Sequence, residues 1–111
     1  MLSAEQVKKI AEYIGLEVVS EFDGKVFVPA MYAHSELFNP IKNDDWNHKV
    51  FKALADECEK KHIFIRIIGG GLELFSMDST CAKTYFHVSE DFNNENICLA
   101  YLAVMDTKDE L

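Results

Sequence analysis

NDDWNHKVFKALADECEKKHIFIRIIGGGLELFS, residues 43–76, is the stretch whose reading decides the fold. Trp46, Val50, Leu54 and Cys58 recur every fourth residue, and Phe51 and Ala55 widen the stripe, which predicts an amphipathic helix. Asn43 or Asp44 can cap it, and the acidic first turn and the closing Lys60-Lys61 both suit the helix dipole. Ile63, Ile65 and Ile67 then occupy one face of a strand, and Phe64 and Ile68 the other. A strand apolar on both faces is expected to be covered on both faces, which argues for a sheet between two helix layers. Arg66 interrupts the second face and is expected to reach a rim carboxylate. Gly69-Gly70-Gly71 then turns the chain into a second strand, Leu72 to Ser76.

Upstream, Leu2 to Gly15 reads as a helix. Ser3 and Gln6 form a capping box, Leu2 and Val7 a hydrophobic staple, and Val7, Ile10, Ala11 and Ile14 a narrow apolar stripe. Gly15 supplies the left-handed residue at its end. Leu16 to Phe22 and Lys25 to Val28 flank Asp23-Gly24, a strong hairpin signal that Pro29 closes. Residues 30 to 42 read as a long irregular segment. Downstream, Met77 to Ala82 reads as a polar turn and Lys83 to Val88 as a third strand of a meander. A last helix, about Glu95 to Asp106, presents Ile97, Ala100, Tyr101 and Val104. The expected fold is α+β, one domain over 1–111. Its antiparallel sheet is sandwiched between helices in the order α-β-β-α-β-β-β-α.

The chain has 111 residues, 49% of them hydrophobic, enough for one domain with a sizeable core. Its net charge of −8 disfavours direct contact with nucleic acid or anionic membrane and suits a protein partner with a basic surface. No apolar run approaches the roughly 18 residues needed to cross a bilayer. Cys58, Cys81 and Cys98 show no paired spacing, which with the charged first helix points to a reducing, cytoplasmic setting. The final Lys108-Asp109-Glu110-Leu111 matches a retrieval signal of the endoplasmic reticulum, but without a leader it reads as an acidic tail.

Little in the sequence points to catalysis. The glycines join strand to strand rather than strand to helix, so they are expected to form a turn and not a phosphate cradle. His34, His48, His62 and His87 have no metal-ligand spacing, and Asp44 or Asp45 with His48 makes too small a set. Cys58 and Cys98 occupy core-like helical positions, leaving Cys81 as the one thiol a hydrolase could use. No cofactor or metal is implied. The better candidates are aromatic and apolar residues around the long segment, namely Met31, Tyr32, His34, Phe38 and Trp46, with Gly70 as a possible lip. Phe38 and Trp46 can equally plug the end of the sheet.

Phe38-Asn39-Pro40-Ile41, then Asn43-Asp44 and a helix carrying Val50 and Leu54, resembles the start of the central helix in small phage and prophage proteins of the ABA-sandwich type. Ile97-Cys98-Leu99-Ala100 is similar to the ending of that family, and Ile14-Gly15 to the close of its first helix. The resemblance implies a helix–sheet–helix sandwich of phage or prophage origin, and no catalytic residues. The expected function is therefore protein binding, directed at a host or defence factor, or self-association through an edge such as Lys83–Val88 or Lys25–Val28. A nucleotide or other small-molecule pocket between residues 30–42 and the glycine turn is the alternative, and a hydrolase the third. Binding carried by the acidic surface should weaken as salt rises.

Overall fold

The computed structural model describes residues 2–30, 35–77 and 82–107. Among these the chain forms three helices and two three-stranded antiparallel sheets, an α+β fold as expected. The elements run α1 (Ala4–Tyr13), β1 (Ser20–Phe22), β2 (Lys25–Val28), β3 (Glu36–Phe38), α2 (Asp44–Lys61), β4 (Phe64–Ile68), β5 (Gly71–Met77), β6 (Ala82–Val88) and α3 (Asn94–Met105).

Local signals account for most of the boundaries. Ser3 and Gln6 form the predicted capping box at α1. Its C-terminus closes with Leu16 N–H donating to Ala11 O and Gly15 N–H to Glu12 O, around Gly15 at φ 88°. The same pair of bonds ends α2, where His62 holds the left-handed position at φ 58° and Ile63 N–H reaches Cys58 O. Asn43 caps α2, and Asn93 caps α3. Both hairpins are tight: Asp23-Gly24 joins β1 to β2 and Gly69-Gly70 joins β4 to β5, all four residues at positive φ.

Four expectations are corrected. The stretch 30–42 is not wholly irregular, because Glu36–Phe38 pairs with β2 as a third strand. The partner lies several residues back, so no local pattern announces this pairing. It makes β2 a central strand, and Lys25–Val28 is therefore not an edge; β4 and β6 flank the other sheet. The strands also divide into two sheets, and β4 is not covered on both faces. Phe64, Ile67 and Ile68 are 56%, 52% and 64% exposed.

α3 is the hub of the core. It touches α1, α2 and β6 and buries Ile97, Cys98, Ala100, Tyr101, Leu102 and Val104. From α2, Val50, Leu54 and Cys58 meet the same core, as do Val28 and Phe38 of the first sheet and Leu72 and Leu74 of the second. Each such large side chain is worth roughly 1.5–3 kcal/mol in burial. Polar ties fix the register. Buried Asn47 donates from Nδ2 to Pro40 O (2.8 Å) and Asn94 O (3.1 Å), and Asn94 Nδ2 donates to Ile41 O (2.9 Å). At the other end Lys61 Nζ donates to Val104 O (2.8 Å) in the last turn of α3 and to Thr107 O (3.2 Å) just past it. Outside, Asp106 accepts from Tyr13 and Lys9 and ties α3 to α1.

Two substitutions check this packing. Asn47→Ala leaves the Pro40 and Asn94 carbonyls without their donor and should lower unfolding free energy by about 1–3 kcal/mol in urea denaturation. At Gly71 an added Cβ would collide with Val88 O and lie 2.7 Å from Ser89 O, both backbone atoms. Gly71→Ala should cost about 1–3 kcal/mol by forcing β5 and β6 apart at that end, whereas an unchanged midpoint would mean the approach is looser than described.

Candidate functional site

The second sheet has two unlike faces. Register places Ile65 and Ile67 of β4 with Leu74 and Leu72 of β5, and these with Phe86 and Val88 of β6. This is the core side, where Leu72 and Leu74 are fully buried. Between Leu74 and Phe75 the register shifts, leaving Tyr85 as an extra residue in β6 that also packs on the core. The opposite side carries Phe64, Arg66 and Ile68 from β4, Glu73, Phe75 and Met77 from β5, and His87 from β6.

That outer side is open and apolar. Phe64, Ile68 and Met77 are all more than half exposed. The Phe64 and Phe75 rings lie 5.6 Å apart, and the Arg66 guanidinium covers Phe75 at 5.1 Å while pairing with Glu73. Arg66 thus reaches a carboxylate as expected, but one on the central strand rather than at the rim. The pair neutralises the middle of a surface that is otherwise hydrocarbon. Beside the glycine hairpin, Arg66, Ile68, Glu73, His87 and Ser89 enclose a shallow hollow of about 240 Å³. That is below the roughly 300–1,000 Å³ of ordinary ligand sites. Among the described residues, none of its lining comes from the 30–42 stretch.

Of the binding candidates singled out in the sequence, only Phe38, Trp46 and Gly70 lie among the described residues. Met31, Tyr32, His34 and Cys81 lie outside the described residues. Phe38 is buried, 5.1 Å from the half-buried Trp46 in an edge-to-face contact, and so belongs to the core. Lys49 sits over the outer side of Trp46 at 4.7 Å. Gly70 forms the hairpin turn, and its carbonyl accepts from Phe92 N–H (2.8 Å). The Phe38-to-Asp44 motif is structural: Asn39 Oδ1 accepts from Ile41 and Lys42 N–H, and Asn43 caps α2. The open β4 face was missed because its residues read as core. The signal was present in the run Phe64 to Ile68, since a strand apolar on both faces needs cover from somewhere.

Among the described residues no group of three or more His, Cys, Asp or Glu side chains is placed to hold a metal ion. Asp44 already accepts from Asn94, while Asp45 and His48 stand exposed at the start of α2. No described helix is long and apolar enough to cross a membrane. A second concavity of about 500 Å³ between α1, α2 and α3 is lined by Tyr13, Tyr101 and a mixture of lysines with Asp56 and Glu57. Its opposite charges lie side by side, with Lys60 and Lys61 both on Glu57. No family model matches the chain, and neither curated proteins nor solved structures give a significant match.

Burial makes two thiols poor nucleophiles. It pushes Cys58 up to about 11, with Glu57 adding to the effect, and Cys98 up to about 12, with Glu95 adding there. In a Cys81→Ser variant, a thiol reagent at pH 8 should leave both unmodified until denaturant is added; fast native labelling would contradict their burial. The same shifts make stability alkali-sensitive. Unfolding returns each thiol to an ordinary value near 9.0, so the unfolded chain sheds protons first. Stability from these groups is full below pH 9 and is lost as pH rises toward 11–12, which a urea titration at several pH values would show.

Proposed function

We propose that this protein acts without catalysis, by binding another protein chain through the open face and free edge of the β4–β6 sheet. The observation that carries the reading is the exposure of Phe64, Ile68 and Met77 on the outer face of the sheet, with Ile67 also half exposed on the other side of β4. Scattered exposed hydrophobics are ordinary, whereas a contiguous apolar patch rimmed by polar groups marks an interaction surface. Aromatic and methionine side chains with a central arginine are also the residue types enriched in interface cores. The resemblance of the Phe38-to-Asp44 run to phage ABA-sandwich proteins adds a phage or prophage origin to the proposal, with a host or defence factor as the target.

This moves the contact away from the acidic surface. The three strands carry two cations, Arg66 and Lys83, and one anion, Glu73, in a chain of net −8. Binding there draws on burial of hydrocarbon rather than on charge attraction. The small-molecule reading has less support, because the hollow beside the hairpin is small and its Arg66 and Glu73 already satisfy each other.

A photo-reactive residue placed at Ile68 in the producing cells tests the proposal. It should yield protein adducts that persist when salt rises from about 0.1 M to about 1 M, where the Debye length falls from about 10 Å to about 3 Å. Absence of adducts at this position, or their loss in high salt, would return the contact to the acidic surface.

A further inference from the structure

We infer that β4 is completed by β4 of a second copy, joining two three-stranded sheets into one of six strands about a two-fold axis at Arg66. The inference rests on the reading of β4 as an interaction element and names its occupant. The starting point is which side chains are exposed. Stacking another protein on the outer face would cover Phe64 and Ile68 but not Ile67, which lies on the opposite, core-facing side. Ile67 is half exposed although its cross-strand neighbour Leu72 is buried. Among the described residues β4 also has no strand paired on its outer edge, so it is open from the side as well as from above.

The other sheet edges are defended. β6 carries Lys83 and the Tyr85 bulge, while β1 and β3 are three residues long and include Glu21 and Glu36. Short strands, bulges and charges are the usual means of keeping an edge from pairing. β4 has five residues, a regular register with β5, and one charge already held by Glu73.

The sequence of β4 suits a copy of itself. Phe64-Ile65-Arg66-Ile67-Ile68 is symmetric in character about Arg66. Antiparallel pairing centred there sets Phe64 opposite Ile68 of the second copy and Ile65 opposite Ile67, so every apolar position meets an apolar one on both faces. Each Arg66 stays on its own Glu73, and the half-exposed guanidinium keeps its outer side in water. The strands carry +1 in a chain of −8, so pairing here keeps the acidic surfaces apart, and the two Arg66 side chains that meet at the axis are each neutralised by their own Glu73. A two-fold pairing also closes on itself, leaving the defended β6 strands at both ends. The outer faces of the two copies then form one continuous apolar surface for a target protein.

Sedimentation velocity with charge exchange tests this. The wild-type chain should sediment at twice its 12.7 kDa mass within the range of about 1 μM to about 1 mM. Phe64→Lys and Ile68→Glu should each shift the chain to monomer with the far-UV circular dichroism of the folded protein retained. Mixed in equal amounts, they should recover a dimer of one copy each by native mass spectrometry, because position 64 of one then faces position 68 of the other with opposite charge. A monomeric wild type overturns the inference; if adducts at Ile68 then still form with another protein, the binding reading stands and only the occupant changes. A dimer that survives both single substitutions, or variants that fail to recover one on mixing, places any contact elsewhere and overturns it equally.

Discussion

The fold depends on α3 being buried on several sides. From Ile97 to Met105 no side chain is charged, so the helix is stable only where other elements enclose it. α1, α2 and β6 do so directly, and α2 and β6 bring β4 and β5 with them. Two polar ties hold the enclosure in register. Asn47 satisfies backbone carbonyls before α2 and at the start of α3, and Lys61 caps the far end of α3. Buried hydrogen-bonding groups of this kind matter more for their loss than for their presence, because an abandoned carbonyl has no water to turn to. The helices therefore set the core side of the second sheet, and its outer side and the β4 edge stay open among the described residues.

The resulting molecule is less compact than its length requires. Its radius of gyration is 15.0 Å, against about 13 Å for an ordinary domain of this size, and its longest dimension is 51 Å. Dividing six strands between two sheets rather than one contributes, since each small sheet keeps two edges. Short or charged strands deal with three of them. The fourth, β4, combines length, regular pairing and hydrocarbon, and it is the physical basis for the proposed function.

Much of the architecture was legible because its signals are local. The capping box at Ser3, the stripe from Val50 to Cys58, both positive-φ turns and the apolar periodicity of α3 each act within a few residues. What was not legible depends on partners distant in sequence. Glu36–Phe38 becomes a strand only because β2 offers it an edge, and three residues carry too little pattern to show it. Asn47 lies between apolar positions and looks like a solvated residue until Pro40 and Asn94 converge on it. The β4 residues failed in the more informative way. Apolar character on both faces states a need for cover, but says nothing about whether the covering atoms belong to the same chain. The candidate site was thus present in the sequence as an apparent core, while two residues that looked functional, Phe38 and Gly70, serve packing and turning.

Backbone amide protection reports most directly on β4 as an edge that a second strand would pair with. Hydrogen–deuterium exchange should be followed for residues 64–68 at low and high protein concentration, with α3 as an internal reference. The account predicts that β4 protection rises with concentration while α3 stays constant. Protection in β4 that is already as high as in α3 at the lowest concentration, or that never changes, would contradict it.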